Sequence, residues 1–145
     1  MRRGILFWFL VSFNLFAFAQ QYYRDAFVGT WIYESNDTIF KVRLQKGSVK
    51  NVVETYEAVL GGYMLSIKGV VKEAYIKDLP AFWDTSKTSA PSLGIYIIGS
   101  HANNTSLDFS FYDMEKKHIY GTGLPCNWMT LLAPDKLHWK LNERE

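Results

Sequence analysis

Three histidines, one cysteine and fourteen carboxylates are the groups in this 145-residue chain that could do chemistry. Metal binding or acid–base work would need them grouped. His101 falls in an expected polar turn and His118 at the start of an expected strand. His138 alternates with Leu137 and Trp139, so it points away from their face. None has a second histidine or a cysteine at ligand spacing, and each reads as a solvated imidazole. Cys126 lies in no nucleophile signature, no G-x-S-x-G occurs, and no phosphate-cradling glycine loop precedes a helix. As the sole cysteine it can form no intramolecular disulfide, and it is expected to be a buried, inert thiol. Glu54 and Glu57 are expected on opposite faces of a strand, while Asp108 and Asp113 flank a polar edge. Both are patterns of solvated charge. The triplets at Asn36, Asn103 and Asn104 fit N-glycosylation, which matters only in a eukaryotic secretory pathway. The chain is expected not to be an enzyme and to use no metal or cofactor.

Apolar side chains are the better candidates for a site. Phe40, Val42, Leu65, Ile95, Phe109 and Phe111 stand at alternate positions of their runs, and Tyr56 lies in a β-branched and aromatic run between two of them. Facing inward together, they would line an apolar interior able to take a small apolar molecule or lipid. They are large residues, so an interior filled by side chains is the competing outcome.

Positioning these residues requires strands. Period-two alternation recurs along the chain without sustained helical periodicity. Residues 27–33 open it. In residues 38–46, Phe40, Val42 and Leu44 face one way and Lys41, Arg43 and Gln45 the other. Residues 51–60 and 63–68 are expected as further strands, with Gly61-Gly62 as the hairpin turn between them. Later come 93–98, then 107–112 with Leu107, Phe109 and Phe111 on one face, then 126–132 and 137–141 around Ala133-Pro134-Asp135-Lys136. Eight to ten strands with short links suit an all-β antiparallel meander closed into a barrel, which leaves no open edges.

One connection breaks the rule of short links. Residues 73–92 hold Phe82 and Trp83, aromatic side chains costly to leave in water. They are expected to fold back over Tyr96 and Ile98 or over the barrel mouth, gating access. Left exposed, they would instead serve as contacts for a protein partner.

The amino terminus has the grammar of an export signal. Arg2 and Arg3 precede a nearly unbroken apolar run at residues 5–18, and Ala17-Phe18-Ala19 offers the small residues a signal peptidase reads. About 14 apolar residues fall short of the roughly 20 that span a bilayer. Cleavage is expected after Ala19, leaving residues 20–145 as one exported domain, periplasmic or secreted, without a membrane span. Removing Arg2 and Arg3 from the 16 basic residues leaves 14 against 14 acidic ones. A neutral domain gives no reason to expect nucleic acid as a partner, and a monomer is expected.

Gly29-Thr30-Trp31, on the first expected strand, resembles the G-x-W motif of lipocalins and related calycin barrels. That resemblance implies an antiparallel barrel that can hold an apolar ligand, with Gly29, Trp31 and the late Trp139 in structural roles. The chain departs from the family in its late basic residues, Lys140 and Arg144 where an arginine would meet the tryptophan. It also lacks the late helix. With Asn36-Asp37-Thr38-Ile39-Phe40-Lys41 and Lys136-Leu137-His138-Trp139-Lys140-Leu141, it is also similar to a family of small exported bacterial proteins of unknown function. The expected role is binding of a small apolar ligand inside the barrel. The alternative is a non-catalytic interaction or inhibitor module that uses its loops around a filled interior.

Overall fold

The computed structural model describes residues 23–121 and 127–141. The expected leader and Cys126 lie outside the described residues. β1 (Gly29–Ser35) and β2 (Thr38–Lys50) form a hairpin around Asn36, whose φ of 49° an asparagine tolerates well. β3 (Thr55–Ile67) returns along the whole of β2. The turn between them is held by Asn51 Oδ1, which accepts from the amides of Val53 and Glu54 at 2.8 and 2.7 Å. Lys68 and Gly69, both at positive φ, make the two-residue turn into β4 (Val70–Ala74).

The other strands are β5 (Phe82–Asp84), β6 (Ile97–Ala102), β7 (Ser106–Asp113), β8 (His118–Tyr120), β9 (Asn127–Ala133) and β10 (Lys136–Lys140). All ten join one sheet with the order β1-β2-β3-β6-β7-β9-β10; β4 also pairs with β3, β5 with β2 and β8 with β7. Every pairing is antiparallel except β2 with β5. The expected antiparallel meander is therefore present, as a nearly closed barrel with one unsealed seam. The path has seven strands joined by antiparallel steps, so its two ends, β1 and β10, run in the same direction. The seam lies between them.

Two glycines expected in a turn lie inside a strand. Gly61-Gly62 sits in the middle of β3, paired with Leu44 and Arg43. The pair is demanded by crowding, not by a turn. A Cβ on Gly62 would come within 2.0 Å of the Tyr75 carbonyl oxygen, and one on Gly61 within 2.6 Å of Leu44. Lys46-Gly47-Ser48 likewise continues β2 where a strand end was expected. Residues 90–93, expected partly as strand, form one helical turn (Ala90–Leu93) closed by Gly94 at φ 78°.

The apolar residues form two cores. The larger lies inside the barrel and includes Val42, Leu44, Val59, Ile97, Leu107, Phe109 and Met129, with Phe27 wholly buried among them. Arg24 ties the segment before β1 to β6 through the Ser100 carbonyl at 2.9 Å, and Asp25 pairs with Lys46 of β2. The second core contains Val49, Ala58, Leu60, Trp83 and Ile95. Leu60 and Ala58 alternate with the inward Val59 and Gly61, so this core lies on the outer face of the sheet. The long connection packs there.

Candidate functional site: an aromatic hollow beside the seam

Phe40, Tyr63, Phe111 and Trp139 come from β2, β3, β7 and β10, and each is set by the period-two alternation of its strand. Their rings touch in a closed circuit. Centroid separations are 5.9 Å for Phe40–Tyr63, 5.0 Å for Tyr63–Phe111, 5.6 Å for Phe111–Trp139 and 5.7 Å for Trp139–Phe40. Three of these junctions are steep, at 67°, 82° and 84°. Rings at such angles make the walls of a box rather than a stack. All four line a hollow of about 580 Å³, which reaches from Tyr63 and Phe111 inside the barrel to the exposed Lys136 and His138 on β10. A second hollow of about 470 Å³ shares Phe40, Leu137 and Trp139 with it and follows the seam along Thr30 to Tyr33 of β1.

A phenol and two carboxylates enter the larger hollow at the rim formed by β3, β4 and the end of β7. The Tyr63 hydroxyl donates to Glu73 Oε2 of β4 at 2.5 Å and accepts from the Met114 amide at 3.2 Å. Burial first, and then the bond to Glu73, raises the Tyr63 phenol far above its ordinary range. Asp113, at the end of β7, is the other carboxylate on the lining. Its Oδ1 accepts from the Lys116 amide at 2.9 Å. A small hollow of about 190 Å³ elsewhere is lined by Arg24, Asp25, Lys46 and Glu57 among small residues, below the usual size of a ligand pocket.

The residues expected to bind divide between the two cores. Phe40, Leu65 and Phe111 line the large hollow, and Phe40 and Val42 line the one along the seam. Phe109 packs edge-on against Trp139 at 4.7 Å, directly behind the wall. Tyr56 and Ile95 belong to the outer core instead. Trp83 is buried there, with its Nε1 donating to the Thr88 carbonyl at 2.7 Å and Ile98 packed against the same cluster. Phe82 remains 52% exposed. Trp31 is half-buried against the inner core, and its Nε1 donates to the Phe27 carbonyl at 2.9 Å. Gly29 precedes it at φ 142°.

Glu73 and Tyr63 line the hollow and are not among the expected site residues. No local signal marks Glu73, because its partner comes from another strand. Among the described residues no group of three or more histidine, cysteine or acidic residues could hold a metal ion. His101 and His118 are exposed and do not line the hollow, although His118 pairs across strands with Asp113, which does. No helix of the described residues is long and apolar enough to cross a membrane.

One family model, described as a family of unknown function (DUF6705), matches residues 1–145. No curated protein and no solved structure matches the chain.

Proposed function

The chain belongs to the DUF6705 family of unknown function, and we propose that it is a lipocalin-like, non-catalytic carrier that holds one small apolar molecule in the aromatic hollow. The observation that carries this reading is the hollow itself: about 580 Å³ of space lined by four aromatic rings beside the inner core. Space of that size, with apolar walls and few polar groups, suits a small ligand. Burying about 250 Å² of apolar ligand surface at roughly 25 cal/mol per Å² gives about 6 kcal/mol before the costs of association. That gross figure corresponds to a dissociation constant of about tens of micromolar, so measurable binding requires a preformed site with small ordering costs. Access is by the seam and the rim at Glu73 and Asp113, because the long connection packs on the outer face. The Gly29-Thr30-Trp31 motif on β1 supports the lipocalin likeness, and the Arg2-Arg3 leader supports delivery outside the cytoplasm.

The test is direct. N-phenyl-1-naphthylamine, an apolar dye that brightens in apolar surroundings, should bind the purified protein, and Leu65→Trp, which fills the hollow, should abolish the signal. A folded Leu65→Trp protein that binds the dye as the parent does would exclude the hollow as the site. Native mass spectrometry of protein from its own host should show a retained small molecule. Export is tested separately by the amino terminus of that protein, expected at Gln20.

The interaction-module reading rests on Phe82, half-exposed on β5. Trp83 is taken up by the outer core, so that module would have one aromatic anchor where two were expected.

A further inference from the structure

We infer that the ligand of this hollow is a cationic amphiphile, an apolar chain ending in an ammonium group, with the charge seated against the aromatic walls below Glu73 and Asp113. This rests on the carrier reading and specifies its ligand class.

Three observations carry it. First, the walls are a closed circuit of four aromatic rings, and a desolvated cation is attracted by ring π-density where an anion is repelled. Second, the rim presents acceptors to the ligand. Tyr63 has one hydroxyl proton and gives it to Glu73, which leaves it no donor for an anionic head group. Third, the rim charges are negative and outside the ion pairs, with the exposed His118 as the cross-strand partner of Asp113 on β8. Among the described residues, ion pairs go to Asp25, Glu57, Asp78 and Asp84, and neither Glu73 nor Asp113 takes part in one.

Opposing charges are present but less well placed. Lys136 and His138 line the outer end of the same hollow, and Lys72 shares a neighbouring one with Glu73 and Glu115. Lys136, His138 and Lys72 are exposed, whereas Glu73 and Asp113 are half-buried. Exposed charges are screened by salt more than half-buried ones, so the carboxylates dominate inside. A fatty acid would place its carboxylate among like charges, and an alkylammonium would not.

Decyltrimethylammonium, decanol and decanoate share a chain length and differ in head group. Each is titrated below its micelle concentration against the full-length protein, by isothermal calorimetry and by displacement of N-phenyl-1-naphthylamine. The ammonium is expected to bind about tenfold tighter than decanoate, chiefly through the charge of the two rim carboxylates and in smaller part through the ring walls. Glu73→Gln with Asp113→Asn is expected to remove most of that preference, read as the ratio of ammonium to decanol affinity within the same variant. Phe40→Leu, which removes one wall, should weaken the ammonium more than decanol. Equal affinity for the three, or tighter decanoate, overturns the head-group inference and leaves the carrier reading standing. A preference that survives the double substitution also overturns it. If none of the three binds or displaces the dye, the carrier reading itself fails.

Discussion

Tyr63 donates its only hydroxyl proton to Glu73 across 2.5 Å, and through this bond the interior of the barrel is fastened to its rim. The same oxygen accepts from the Met114 amide at 3.2 Å, which brings the turn after β7 to the same point. The Tyr63 ring also lies 5.2 Å from Tyr75 and 5.9 Å from Tyr96, besides its contacts with Phe40 and Phe111. One side chain thus sets both the aromatic wall and the acidic edge of the hollow.

Tyr63→Phe keeps the ring and removes both hydrogen bonds. It is expected to cost about 1–2 kcal/mol in urea unfolding, since two hydrogen bonds to half-buried partners are lost. The phenol is raised in the folded state, by burial first and then by the bond to Glu73. A raised phenol favours the protonated form in the folded protein. Its stabilising effect is complete below the unfolded value of about 10 and is lost as pH rises above it. Burial raises Tyr56 and Tyr96 in the same direction. The parent melting temperature should fall above about pH 10, and Tyr63→Phe should fall less steeply over that interval.

Gly62→Ala is expected to be among the most damaging small substitutions. Its Cβ would meet the Tyr75 carbonyl oxygen at 2.0 Å, and that atom belongs to backbone held by the bond from the Tyr75 amide to the Tyr63 carbonyl. Overpacking of this kind costs about 1–3 kcal/mol or more. Thermal melting of Gly62→Ala checks this. A change under about 0.5 kcal/mol, the range of ordinary surface substitutions, would mean that the backbone at Tyr75 moves freely.

Trp83 fastens the long connection to the outer face. Trp83→Ala should cost about 3–5 kcal/mol, the range for large buried aromatics. Trp83→Phe should cost about 1 kcal/mol, chiefly the bond to the Thr88 carbonyl. Neither should change dye affinity in the aromatic hollow, because Trp83 lies in the outer core. Altered affinity in folded Trp83→Phe would restore a gating role to residues 73–92.

Trp31→Ala should cost about 2–4 kcal/mol, somewhat below the range for a fully buried tryptophan. The side chain is half-buried, and one hydrogen bond to the Phe27 carbonyl goes with it. Denaturant unfolding provides the measurement, and unchanged stability would place Trp31 outside the core packing.

Much of the local geometry was legible in the order of residue types. Val42 and Leu44 on β2, and Leu107, Phe109 and Phe111 on β7, are buried as alternation requires, because successive side chains of a strand point to opposite faces. The all-antiparallel path followed from the short links, and the turn before Lys136 from its proline and aspartate. Alternation says which residues share a face, and it says nothing about what that face meets. Only the tertiary structure decided that Gly61-Gly62 lies in mid-strand, where Leu44 and the Tyr75 backbone leave no room for a side chain. It also sent Tyr56, Ile95 and Trp83 to an outer core, since the face of β3 opposite the lumen needed its own apolar cover. The joining of Tyr63 to Glu73, and the closing of four rings from four strands into one wall, depend on register between distant segments. Register is set by packing across the whole barrel, which no short stretch of sequence contains.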